Sequence, residues 1–128
     1  FLSGPVGSGK TFFARCLIQN FLKIQGVEIE EVPSPSYTLV QVYDSVVPTI
    51  WHVDLYRLSD PAEVVELGLE DIYPSIITLI EWPERLGEKI PSRYLSINLL
   101  QGITGMDERS LVFEFYGKNW NHFLNKEW

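Results

Sequence analysis

Apolar residues recur at Phe13, Leu17, Phe21 and Ile24, spacings of four, four and three that stack them on one face of a helix. The helix is predicted over Lys10 to Ile24, with Gly26 stopping it as a C-terminal cap. Val27 to Val32 reads as a strand, Pro33-Ser34-Pro35-Ser36 as a stiff loop, and Thr38 to Tyr43 as another strand, with a turn near Val47-Pro48. From Thr49 to Tyr56 alternation sends Trp51, Val53 and Leu55 to a core face and His52, Asp54 and Tyr56 to a polar one. Asp60 opens a short helix, with Pro61 at its first position and Glu63 three residues after the cap, and Gly68 closes it. Ile76 to Ile80 shows no polar alternation, as expected of a strand buried on both faces of a parallel sheet. Tyr94 to Leu100 and Ser110 to Tyr116 pair as a hairpin through a glycine-containing loop, and Asn119 to Lys126 forms a small final helix. No repeat, low-complexity tract or linker interrupts the 128 residues, which are expected to form one domain.

The predicted first helix follows Gly4-Pro5-Val6-Gly7-Ser8-Gly9-Lys10-Thr11 directly. Glycine, four residues, glycine, lysine and then serine or threonine is a phosphate-binding loop in which each part has a separate task. Gly4 and Gly9 admit backbone angles that a side chain would forbid, and Gly7 adds freedom between them. The freed N–H groups of the loop point inward to cradle phosphate oxygens, at the positive end of the helix. Lys10 reaches the β- and γ-phosphates, and the Thr11 hydroxyl is a magnesium ligand. The amphipathic helix that follows where the motif requires one argues further against a chance match.

Magnesium on a nucleoside triphosphate usually takes a second protein contact from a carboxylate at the end of a buried strand, and Glu81 stands directly after Ile80. The alternative is an exposed acid that merely begins a loop. Asp54, on the polar face of its strand, could hold a metal-bound water, orient the attacking water, or pair with Arg57. His52 reads as a hydrogen-bonding strand residue, and Ser34 to Thr38 as a rigid turn before a phosphate-sensing switch.

With 45% hydrophobic and 13% aromatic residues, the chain is globular. Its net charge of -7, from 17 acidic and 10 basic side chains, repels nucleic acid, so RNA would reach it only through a more basic partner. The lone Cys16 excludes an internal disulfide or cysteine metal cage and reads as core filler. No apolar run approaches the roughly 18 residues of a membrane span, and no signal peptide is visible, so the expected compartment is the cytoplasm. Only Phe1, Leu2 and Ser3 remain for the buried strand that precedes such a loop, and part of the natural N-terminal segment is expected to be missing.

Four segments in this order and spacing resemble the TsaE family: Gly4 to Thr11, Ser34-Pro35-Ser36-Tyr37-Thr38-Leu39-Val40, His52-Val53-Asp54-Leu55-Tyr56-Arg57-Leu58 and Ile80-Glu81-Trp82-Pro83-Glu84. The resemblance spans about Gly4 to Pro91 and, more loosely, the last hairpin. It implies a small three-layer α/β/α P-loop NTPase with a mainly parallel central sheet and antiparallel additions. It implies magnesium on Thr11 and Glu81, phosphates wrapped by Val6 to Thr11, an essential aspartate at Asp54, and Trp82 beside the nucleotide. The implied activity is Mg2+-dependent ATP hydrolysis with TsaB and TsaD, of which TsaD transfers threonylcarbamoyl to adenosine 37 of tRNA. Contact with tRNA is implied only through that complex, and the preference for ATP over GTP likewise rests on the family. Ser36 replaces the usual threonine and keeps its hydroxyl. Glu108-Arg109 replaces a Gly-Arg pair, which puts a backbone contact to nucleotide there in question, and without the preceding segment weaker nucleotide affinity is expected. Two other classes remain open: a small-molecule kinase, for which Arg85 and Arg93 make a poor lid, and a protein that keeps nucleotide only as a structural ligand.

Overall fold

The computed structural model describes residues 1–102 and 107–125. In chain order the elements are β1 (Leu2–Ser3), α1 (Lys10–Ile24), β2 (Val40–Tyr43), β3 (Ile50–Asp54), α2 (Pro61–Glu66), α3 (Leu69–Ile72), β4 (Ile77–Glu81), a 3₁₀ segment (Pro83–Lys89), β5 (Tyr94–Gln101), β6 (Arg109–Tyr116) and α4 (Asn121–Leu124). The strands form one mixed sheet in the order β2-β3-β4-β1-β5-β6. Its centre is parallel, β1 lying between β4 and β5 with Leu2 opposite both Glu81 and Ile97. The antiparallel additions are β2 on β3 and β6 on β5. The fold class expected of the sequence is therefore the one observed, down to the parallel centre.

Strand alternation divides the core between the two faces of this sheet. Leu2, Ile50, Leu79 and Ile97 join Ala14, Ile18 and Leu22 of α1 in one buried cluster. Val53, Leu55 and Ile80 join Val64, Leu69 and Leu86 in a second, under α2, α3 and the 3₁₀ segment. Leu2 of β1 is almost fully buried at the centre of the sheet, paired with β4 on one side and β5 on the other. Among the described residues no helix is long and apolar enough to cross a membrane.

Helix α1 has its expected bounds, but not its expected face. Ala14, Ile18 and Leu22 are buried at the centre of the contact, Phe13, Leu17 and Phe21 flank it partly covered, and Ile24 is 74% exposed. The sheet takes a broad face one residue further round the helix, which the small Ala14 lets approach closely. Cys16 consequently faces outward and is exposed, not core filler. Gly26 caps the helix as expected: at φ 70° its N–H donates to the Lys23 carbonyl while Val27 N–H donates to Leu22, both bonds of a Schellman end.

Val27 to Val32 is not a strand. This segment runs beside α1, and helix side chains take its carbonyls: Arg15 Nε donates to Val32 O at 3.0 Å and Gln19 Nε2 to Glu30 O at 3.3 Å. Strand β2 begins two residues later than expected because Leu39 turns at φ 67°. Strand β3 stops at Asp54, whose Oδ1 accepts the Tyr56 N–H at 2.9 Å and bends the chain away. The Asp60 cap is confirmed by Ala62 N–H donating to its carboxylate at 2.9 Å, while α3 and the 3₁₀ segment were not anticipated. Both hairpin strands are present; positions 103–106 of their connection, and Lys126 at the expected end of the last helix, lie outside the described residues.

Ile18→Ala is expected to cost about 2 to 4 kcal/mol of unfolding free energy in urea titration. Ile24→Ala, on the face that sequence spacing favoured, should cost under about 0.5 kcal/mol.

Candidate nucleotide site

The loop from Gly4 to Gly9 leaves the C-terminal end of β1 and enters α1, so the first turn of the helix faces the tips of β4 and β3. A cavity of about 400 Å³ opens there, lined by Val6, Gly7, Ser8, Gly9, Lys10 and Thr11 together with Phe12, Ser36, Asp54, Tyr56, Glu81 and Trp82. Every residue expected at the site is in this wall. Phe12 is the addition that no sequence signal announced; it follows from the first helical turn, which carries it round to the opening.

Gly4 shows why the loop needs glycine. Its φ is 147°, and an added Cβ would lie 2.6 Å from Ser8 Oγ and 2.7 Å from the Leu99 carbonyl oxygen. The loop is also pinned from the far strand, as Arg109 Nε donates to the Ser8 carbonyl at 3.0 Å. The altered Glu108-Arg109 pair thus still touches the loop through Arg109, a contact across 101 positions that spacing could not reveal.

Lys10 is buried, and its Nζ donates to the carbonyls of Gly4 at 2.7 Å and Pro5 at 2.9 Å. The same ammonium lies 4.1 Å from the centre of the Trp82 ring. Burial lowers its pKa, while the charges of Glu81, Glu84 and Asp54 act in the opposite direction. Trp82 holds a left-handed backbone, φ 59°, at the residue after β4, which swings its indole over the cavity and against Tyr56. An L-residue held there by its surroundings is the kind of local strain found at working sites.

Thr11 Oγ1 donates to Glu81, 2.8 Å from Oε1 and 3.1 Å from Oε2. Glu81 is buried at the tip of β4, so the reading of an exposed acid that begins a loop is excluded. On the adjacent strand His52 Nε2 lies 2.7 Å from Glu81 Oε2, a pairing not anticipated. Asp54 is opposite Glu81 in the β3–β4 register. Its Oδ2 accepts from Ser36 Oγ at 2.8 Å, and Ser36 in turn meets Ser34 Oγ at 2.8 Å. The expected alternative of an Asp54–Arg57 ion pair is not formed, since Arg57 stacks over the exposed Tyr37 ring at 4.3 Å. The Ser34 to Thr38 segment is therefore a turn that delivers one hydroxyl, Ser36, to the site.

Two hard oxygens, Thr11 Oγ1 and Glu81 Oε1, converge on one point of the cavity wall. Among the described residues no group of three or more His, Cys, Asp or Glu side chains could cage a metal. That donor set fits magnesium, which binds through one or two protein oxygens and fills its octahedron with phosphate oxygens and water.

A glycine-rich loop between a buried parallel strand and a helix, facing an acid on the neighbouring strand tip, is the architecture of a P-loop NTPase. The solved crystal structure of YdiB from Bacillus subtilis matches with a TM-score of 0.67 at 29% identity, over 96% of this chain and 70% of that one. Residues 1–110 match the family described as Threonylcarbamoyl adenosine biosynthesis protein TsaE, and the chain belongs to that family. Proteins named tRNA threonylcarbamoyladenosine biosynthesis protein TsaE are 42% identical over 98 residues in Rickettsia bellii and 31% identical over 120 residues in Bacillus subtilis. The matches cover 77% and 93% of this chain and 65% and 70% of those proteins. A Rickettsia felis relative, 39% identical over 98 residues, is covered over 55% of its length.

Gly4→Ala is expected to lower stability by about 2 kcal/mol or more, because backbone strain and overlap add. Gly7→Ala, whose Cβ would meet nothing within 4 Å at φ 77°, should cost only about 1 kcal/mol. Urea unfolding of the two variants separates them.

Proposed function

We propose that this protein binds ATP with Mg2+ in the loop cavity and hydrolyses it as the ATPase subunit of the machinery that makes threonylcarbamoyladenosine at position 37 of tRNA, working with TsaB and TsaD. The observation that carries the reading is the convergence, on one cavity, of the loop residues Val6 to Gly9, the Lys10 side chain, the Thr11–Glu81 oxygen pair and the buried Asp54.

In this reading the backbone from Val6 to Thr11 wraps the phosphates, and Lys10 exchanges the carbonyls of Gly4 and Pro5 for phosphate oxygens. Thr11 and Glu81 hold the magnesium, which when bound neutralises charge on the phosphates. Asp54, fixed by Ser36 and the Tyr56 N–H, is placed to orient the attacking water, and Trp82 bounds the nucleotide on the β4 side. No arginine is among the described residues that line the cavity, so the charge of the transition state is incompletely matched by this chain alone. Turnover is therefore slow in isolation, and partners supply the activation. Family membership supports the tRNA-modification setting, and the chain's net charge of -7 suits a subunit that leaves RNA contact to others.

Phosphate release measured for the protein alone, then with TsaB and TsaD, should rise on adding the partners; an unchanged rate would refute the assignment to that complex. Glu81→Ala should abolish the stimulated turnover, a loss of about a hundredfold or more for removal of a metal-held charge. Lys10→Ala should weaken ATP binding about tenfold or more while the melting temperature holds. Calorimetric titration showing wild-type affinity in that variant would remove the loop lysine from the account.

A further inference from the structure

We infer that His52 is a positioning residue for Glu81, its Nε2–H deciding which carboxylate oxygen is left to face the cation. The inference deepens the magnesium-nucleotide reading above and rests on it.

His52 sits in the middle of β3 with none of its surface exposed. It does not line the cavity, so it touches neither nucleotide nor ion and acts only through a neighbour. That neighbour is Glu81: the imidazole reaches past its strand partner Leu79 to Oε2 at 2.7 Å. An ionised carboxylate only accepts, so the hydrogen of this bond is on Nε2. The two oxygens of Glu81 are thereby made unequal. Oε2 carries the His52 bond, while Thr11 Oγ1 at the head of α1 is nearer to Oε1, at 2.8 Å against 3.1 Å to Oε2.

The other ring nitrogen argues against a purely structural role. Nδ1 is buried and has no hydrogen-bond partner among the described residues. An apolar side chain would fill this place without leaving a buried polar atom that opposes folding. Among the described residues one nitrogen has no partner, and the bond that is made goes to the proposed metal ligand. Outer partners of this kind orient a ligand and hold its affinity for the ion, typically by 10- to 100-fold.

Calorimetric titration with a non-hydrolysable ATP analogue, in MgCl2 and again in EDTA, tests the assignment on the whole chain. In the wild type magnesium should tighten binding. His52→Leu should lose about tenfold of that gain, while binding in EDTA stays within about twofold of wild type. His52→Gln, whose side-chain Nε2 can donate to the same oxygen, should recover most of the gain. Full magnesium enhancement in His52→Leu, or no recovery in His52→Gln, overturns the inference. A wild type without magnesium enhancement overturns the metal reading and this inference together, an outcome recognisable because no variant is involved. If His52→Leu does not fold, long-range 1H–15N spectra of the wild type decide the matter. A hydrogen on Nε2 supports the inference, and a tautomer protonated at Nδ1 alone refutes it.

Discussion

The hydrogen bond from Thr11 to Glu81 joins two residues 70 positions apart, and the arrangement of the site depends on it. It can form only if β4 lies beside β1 in parallel, with Leu2 opposite Glu81, so that the strand tip and the helix head meet at one end of the sheet. That neighbourhood in turn requires the chain to turn sharply at Gly4, where Ser8 and the Leu99 carbonyl leave no room for a side chain. Strand order, loop conformation and ligand geometry are thus one constraint seen at three scales.

The site's interior is unusually polar for so small a core. Ser8, Lys10, His52, Asp54 and Glu81 are its buried polar and charged residues, and four of the five line the cavity. Burial of such groups opposes folding unless each finds a partner. Lys10 finds two carbonyls and an indole face, Glu81 a hydroxyl and an imidazole, Asp54 a hydroxyl and a backbone amide. The left-handed backbones at Leu39 and Trp82 adjoin the same network. The Leu39 carbonyl accepts the Asp54 N–H at 2.9 Å, which ties the turn that delivers Ser36 to the strand that carries Asp54. The apolar clusters on the two sheet faces are what stabilise this arrangement, because the polar network is made mostly of exchanged hydrogen bonds.

Much of this was legible in the residue order because local rules govern it. The phosphate loop is a backbone motif complete within eight residues, and α1 follows from a period that any stretch of its length would show. The Asp60 cap, the Gly26 stop and the β5–β6 hairpin are likewise near-neighbour effects. A short, largely apolar run without polar alternation identified β4 as interior, and interior position placed Glu81 at a strand tip. Membership of the TsaE family was readable for the same reason, since its segments each preserve local chemistry.

Contacts between distant segments were decided only by the tertiary structure. Periodicity located a helix but not which of two adjacent stripes would meet the sheet, so Ile24 and Cys16 were assigned inward and face outward. Val27 to Val32 had strand-like residues, yet α1 captured its carbonyls first. His52 to Glu81 and Arg109 to Ser8 join segments whose separation carries no pattern, because side chains meet there through strand order. Local backbone preference and hydrophobic period are written along the chain; the partner of a buried polar group is a property of the packed sheet, and only folding supplies it.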